Sequence, residues 1–263
     1  MNKKLKILLI IVIAVILTAI LYVAVIHPRI KLHIQTLRVY EEMGGGTDIG
    51  QPLITYNQYN VKDDTLKMID MGDFHIGVPS DWEKQDNDDS AFVIYGSGRT
   101  TPDGKKFETL TSTGSGTDYS DMVILNRELY ESDDLWRRVN KGFESLGYGM
   151  PTTAYDSLRC ALEMRAEDYN LLDYNKSLAF TYALPFRAGS PNYYDGITSW
   201  SYLYEDEYKC GIINEMYRKD TDSYRYYLSF YDTEDLNTEY FILLSAKDQE
   251  TAYAIINSLT FDD

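Results

Sequence analysis

The sequence predicts an α+β fold: one antiparallel β-sheet packed by helices, preceded by an N-terminal transmembrane helix. Three observations predict it. The run Ile7 to Ile26 is apolar and uncharged, much of 74–244 alternates with the period of a strand, and three later stretches carry apolar stripes at helical spacing. A chain of 263 residues can bury one sizeable core without staples.

The anchor comes first along the chain. Ile7 to Ile26 reads ILLIIVIAVILTAILYVAVI, and at about 1.5 Å per residue it matches the roughly 30 Å hydrocarbon core of a bilayer. A cleaved leader has a shorter apolar region and a small-x-small end. Here bulky Val25 and Ile26 close the run, so an uncleaved, single-pass signal anchor is expected, with membrane lipid as its partner. Lipoprotein processing needs a cysteine just after the run, whereas the cysteines are Cys160 and Cys210. Pro28 is expected to end the helix. Lys3, Lys4 and Lys6 before the span and Arg29, Lys31 and Arg38 after it leave the charge rule undecided. The short head and the long acidic remainder favour a cytosolic N-terminus and an extracytoplasmic C-terminal domain at the cell membrane. The division is 1–6 cytosolic head, 7–26 signal anchor, 27–68 stalk and linker, 69–263 acidic globular domain.

Charge narrows the partners. No acid precedes Glu41, and beyond Val39 the chain sets 19 basic side chains against 41 acidic ones, a formal charge of −22. That field repels polyanions, so nucleic acid is not expected as a partner. Basic proteins and divalent cations remain compatible with it.

From His27 to Met43 the apolar residues suit either a helical face (Ile30, Ile34, Leu37) or a strand (Ile30, Leu32, Ile34), and the choice stays open. Gly44-Gly45-Gly46 breaks the chain, and Thr47 to Lys67 has no period. Strands are expected at Phe74–Val78, Ala91–Tyr95, Lys106–Thr111 and Met122–Leu129, with a turn at Pro102-Asp103-Gly104. Leu135, Val139, Phe143 and Leu146 then form a helical stripe closed by Gly147. After Pro151, Thr153 with Asp156 resembles a capping box for a helix striped by Leu158, Leu162, Ala166 and Tyr169. Strands return at Leu178–Leu184, Ile197–Tyr204, Lys209–Tyr217, Tyr224–Tyr231 and Thr238–Leu244, joined by short acidic loops that favour an antiparallel meander. A last helix starts at Ser245, its stripe Ala252, Ile255, Ile256 and Leu259.

The segment Phe74-His75-Ile76-Gly77-Val78-Pro79-Ser80-Asp81-Trp82 resembles the opening strand of PsbP-like domains. Ser245-Ala246-Lys247 through Ala252, Ile255, Ile256, Asn257, Ser258, Leu259, Thr260 and Phe261 is similar to their closing helix. This resemblance implies a sheet sandwiched by helices, and a superfamily whose members mostly bind or assist other proteins. It carries over no functional residues, because the matching positions are core and turn positions, and fold does not give function.

Chemistry has little to stand on. The histidines are His27, His33 and His75, and no HExxH or CxxC spacing occurs. Gly96-Ser97-Gly98 and Gly114-Ser115-Gly116 read as turns. Asp86-Asn87-Asp88-Asp89 and Asp232 to Glu239 lack the EF-hand spacing and read as surface loops. No catalytic, cofactor-binding or metal-ligating residue is assigned. Cys160 lies opposite the Leu158–Leu162 stripe, and nothing requires it to meet Cys210. Tyrosine, at 24 residues, is the strongest bias. Tyr202, Tyr204, Tyr224 and Tyr226 recur at strand spacing, either as sheet packing or as aromatic contacts for a partner. The expected function is a non-catalytic, membrane-tethered binding or accessory module for a protein or envelope component. The alternatives are an envelope hydrolase using an acidic pair and a structural subunit of a membrane complex.

Overall fold

The N-terminal apolar run is helical from its first turn in the structure, a computed structural model that describes residues 3–42, 53–86, 92–100, 102, 104, 106, 108–119, 133–170, 172–188, 198–218 and 221–261. Helix α1 (Lys3–Leu21) passes through a π-helical turn at Tyr22–Ile26 into α2 (His27–Glu42). Within it, Leu9–Ile34 is long and apolar enough to cross a membrane, and its most apolar 18-residue stretch is not buried in the protein's own core. It is a candidate membrane span or signal anchor. Pro28 does not end the helix as expected. The His27 N–H bonds the Tyr22 carbonyl five residues back, and the wider turn precedes the proline that brings no donor of its own. The 27–42 segment is therefore helical, and its Leu32 and Thr36 are buried.

Twelve strands form two sheets among the described residues. They are β1 (Ile54–Thr55), β2 (Lys67–Asp70), β3 (Phe74–Val78), β4 (Glu83–Lys84), β5 (Val93–Gly96), β6 (Thr109–Ser112), β7 (Thr117–Asp118), β8 (Thr198–Glu205), β9 (Lys209–Arg218), β10 (Ser223–Asp232), β11 (Asp235–Ala246) and β12 (Thr260–Phe261). The main sheet runs β1-β8-β9-β10-β11-β6-β5-β4, with β7 also on β11, and the small one runs β12-β3-β2. The β8 to β11 meander is antiparallel throughout, as its short loops dictate. The main sheet is nevertheless mixed and not purely antiparallel, because β1 joins β8 in parallel. More than a hundred residues separate these two strands in the chain, so no hairpin forces their direction. The expected Met122–Leu129 strand and the Gly44-Gly45-Gly46 break lie outside the described residues.

Four more helices cover the sheets: α3 (Asp133–Leu146), α4 (Ala154–Glu163), α5 (Tyr174–Ala188) and α6 (Gln249–Ser258). Gly147, at φ 91°, ends α3. The Tyr148 N–H then returns to the Phe143 carbonyl, which satisfies an otherwise orphaned acceptor. Thr153 caps α4 by accepting from the Asp156 N–H, and Asp248 caps α6 by accepting from the Thr251 N–H. The last helix thus starts after Asp248, and Ser245 still belongs to β11. Stretch 178–184, read as a strand, is instead the middle of α5. Asp173 accepts from the amides of Asn175 and Lys176 and opens that helix. Its Leu178, Ala179, Phe180, Tyr182 and Ala183 are all buried, so this part of the helix reads as a nearly continuous apolar run.

Two principal cores result. In one, the inner face of the main sheet (Tyr226, Leu228, Phe230, Ile242, Leu244) meets Phe74, Ile76 and Val78 of the small sheet and Ile255 and Ile256 of α6. In the other, α3, α4 and α5 enclose Trp136, Val139, Phe143, Cys160 and Met164, joined by Leu32 of α2. A smaller cluster of Ala154, Tyr155, Cys210 and Tyr231 packs α4 on the outer face of the main sheet. The α4 stripe is therefore displaced from the expected one. Cys160 is buried, whereas Leu158 is only partly so. Tyr56, inside the span read as linker, is fully buried, and Asn257 of α6 donates to the carbonyls of Gln58 and Val61 beside it.

Candidate functional site: a tyrosine-ringed glutamate under the sheet

Strand alternation decides where the tyrosines go. Across β8, β9 and β10 the register aligns Tyr202 with Ile213 and Leu228, and Trp200 with Glu215 and Tyr226. These residues share the inner face. Tyr204 and Tyr226 are fully buried, while Tyr202 and Tyr224 are partly buried against the same core. All four aromatics named as possible partner contacts thus point inward. Tyr204 packs edge-on against Phe230 at 5.2 Å and Tyr226 against Tyr253 at 6.1 Å. On the outer face, Tyr227 pairs with Phe241, which stays 46% exposed.

The inner face also holds a carboxylate, Glu215, with 0% exposure. Its Oε1 accepts from Gln249 Nε2 at 2.8 Å and its Oε2 from the Tyr253 hydroxyl at 2.7 Å. Gln249 also donates to the Tyr253 oxygen at 3.2 Å, closing a small network that ties the first turns of α6 to β9. The buried Tyr226 hydroxyl lies beside this carboxylate and is its third polar neighbour. Burial raises the pKa of Glu215, opposed by the hydrogen bonds from Tyr253 and Gln249. The carboxyl is sealed from solvent and faces neutral groups, so it meets no substrate as placed. What the arrangement does is hold α6 on the sheet.

A second buried charge lies on the same face. Lys209 Nζ donates to the Leu259 carbonyl just beyond the C-terminal end of α6 at 2.6 Å and pairs with Asp206 at 3.5 Å. Burial lowers its pKa and Asp206 opposes that shift. Both ends of α6 are thus tied to β9 by buried ionisable side chains. Neither was singled out from the sequence. The available signal was an acid at Glu215, in the same strand phase as Ile213.

The remaining candidates resolve into local structure. Cys160 and Cys210 are free, buried and in different clusters. Asp232 and Asp235 accept from the amides of Glu234 and Asn237, the geometry of tight turns. Residues 87–91 of the other acidic loop lie outside the described residues. Ser97 donates to Glu108, and Gly98 and Gly114 occupy left-handed turn positions. His75 pairs across to Asp70 and Thr260 in the small sheet. No group of three metal-ligating side chains converges among the described residues. A scan of protein-family models and a search of curated proteins give no match to this chain.

Proposed function

We propose that this chain is a membrane-tethered, extracytoplasmic binding or accessory module without a catalytic role, built on a PsbP-like plan. The observation that carries the reading is the helix Leu9–Ile34, 26 residues long, whose apolar side chains, Leu32 excepted, find no cover in the protein itself. Such a surface is stable only in lipid or against another apolar surface. Support for the PsbP-like plan comes from the domain's two ends. Opening strand β3 and closing strand β12 pair directly, Thr260 opposite His75 and Phe261 opposite Phe74. Trp82 and Leu259 lie in the same core. An acidic-pair hydrolase needs two accessible carboxyls a set distance apart; Glu215, ringed by tyrosines and a glutamine, supplies no such pair.

The test uses full-length protein tagged at its C-terminus. Retention in the membrane pellet after alkaline washing, with the C-terminal domain cleaved by protease added to intact cells, is the expected result. Release by the wash, or protection from the protease, overturns the reading. Crosslinking in native membranes then distinguishes a binding module from an enzyme. Turnover of an envelope glycan with no partner recovered refutes the binding role.

A further inference from the structure

The candidate span does not stop where the hydrocarbon does. At about 1.5 Å per residue, the 26 residues Leu9–Ile34 cover about 39 Å, about 9 Å more than a hydrocarbon core. The surplus contains Ile30 and Ile34, both exposed, on the side of α2 turned away from the buried Leu32 and Thr36. Half-buried Arg29 and exposed Lys31 flank them.

The folded body is fastened to this same stretch. Thr36 Oγ1 meets Thr181 Oγ1 at 2.7 Å. One turn earlier on α2, His33 Nδ1 meets the Tyr169 hydroxyl at 2.5 Å, and the Tyr169 ring packs on Phe180. Ser177, in the first turn of α5, donates to the carbonyl of Asn170 next to Tyr169, so the earlier turn of α2 meets the earlier turn of α5 and the two helices run side by side in the same sense. Counting back eight residues from Thr181 to Asp173 moves about 12 Å toward the start of α5, level with about Pro28 on α2. That is two residues beyond the end of the uncharged run. The turn just before Asp173 displays Leu172, which at 79% is the most exposed large apolar residue among the described residues. Arg138 of α3 lies at the same end, its guanidinium 5.8 Å from the Tyr174 ring.

Charge agrees with this placement. The helical layer 133–188 carries seven basic and eight acidic residues, a formal charge of −1, and so leaves −21 for the rest of the chain beyond Val39. The nearly neutral layer is the one fastened to the span.

From these observations we infer that the domain rests on the lipid surface: Leu172 and the Ile30–Ile34 face of α2 enter the boundary between headgroups and acyl chains. Arg29, Lys31 and Arg138 face the lipid phosphates. The occupant of this exposed apolar ridge is the bilayer that already holds the span. Side chains of this kind bury their apolar part about 5–10 Å into that boundary while cations stay at the phosphate level. The inference rests on the proposed span and adds an orientation: the start of α5 lies at the lipid surface and the helix rises from it beside α2.

The test places one environment-sensitive fluorophore on the full-length chain through Leu172→Cys. The native cysteines are buried and stay unlabelled in the folded protein. A second variant, Met68→Cys, puts the probe on exposed β2 across the main sheet. Both are reconstituted into vesicles of phosphatidylethanolamine and phosphatidylglycerol, with and without lipids bearing a nitroxide near the headgroup end of the acyl chain. Expected is a loss of emission of about twofold or more at 172 and none at 68. Protein retained in the vesicles with an unquenched probe at 172 overturns the inference alone and leaves that face to water or a protein partner. Equal quenching at both positions overturns it as well. Protein that does not stay with the vesicles overturns the span and this inference together.

Discussion

Replacing Gly142 with alanine sets two physical effects against each other in sign. Gly142 sits inside α3, where alanine in place of glycine ordinarily stabilises by about 1 kcal/mol. It also marks the crossing with α5. A Cβ built there would lie 2.2 Å from the Asn175 carbonyl oxygen, 2.8 Å from its carbon and 2.6 Å from Ala179 Cβ. None of these is the movable end of a long side chain, so the two helices must part by about 1 Å to reach ordinary contact. Overpacking of this kind costs about 1–3 kcal/mol, and so severe a clash belongs toward the top of that range. After subtraction of the helix gain, Gly142→Ala is expected to lose about 1–2 kcal/mol. The assay is urea unfolding of the full chain in detergent, followed by tryptophan fluorescence, with buried Trp136 reporting on the same helical core. A variant more stable than the parent by about 1 kcal/mol would mean that the helices do not cross at this glycine, and the described packing would be refuted.

Four further outcomes follow from the buried groups. The folded protein holds the Glu215 proton more tightly than the unfolded chain does, because burial raises its pKa. Stability should therefore fall as pH rises from the ordinary carboxyl range through the raised value, and Glu215→Gln should flatten that part of the profile in unfolding measurements; an unchanged slope counts against the sealed site. Tyr253→Phe removes a hydrogen bond to this carboxylate and should cost about 1.5–3 kcal/mol. Tyr226→Phe removes a weaker neighbour of the carboxylate and should cost less than Tyr253→Phe, so equal losses in the two variants would contradict the geometry. Lys209→Met leaves the Leu259 carbonyl and Asp206 without their cation and should destabilise by about 1–3 kcal/mol, read as a lower urea midpoint. Burial pushes both the Cys160 and Cys210 thiols up to about 12; neither should react with a thiol reagent at neutral pH until the chain unfolds, and rapid labelling of the native protein would show that the burial is wrong.

Periodicity and capping made much of the local structure legible. The β8 to β11 meander was readable because its loops are short and acidic, and short loops leave antiparallel pairing as the available geometry. Helices α3 and α6 announced themselves through one-sided stripes, and α3 and α4 through Gly147 and Thr153 at their ends, whereas the start of α6 moved from Ser245 to Asp248 and the α4 stripe was displaced. Helix α5 did not, although Asp173 stood at its start. It is enclosed by α2, α3 and α4, so its middle reads as a nearly continuous apolar run, and such a buried stretch cannot be told from a strand by period. Tyr56 was equally invisible, since a single buried tyrosine in an aperiodic segment leaves no pattern.

By itself, the sequence determined the long apolar N-terminal helix, the acidic remainder behind it, and most strand and helix positions, because hydrophobic period, charge and caps are local properties of the chain. Tertiary structure alone decided which face of each strand turned inward, and so sent Tyr204 and Tyr226 into the core instead of onto a docking surface. It also paired β1 with β8 in parallel, enclosed Glu215 under α6 and laid α2 along α5. Those outcomes depend on contacts between residues far apart in the chain. Alternation along a strand shows that two faces differ but not what will cover either one.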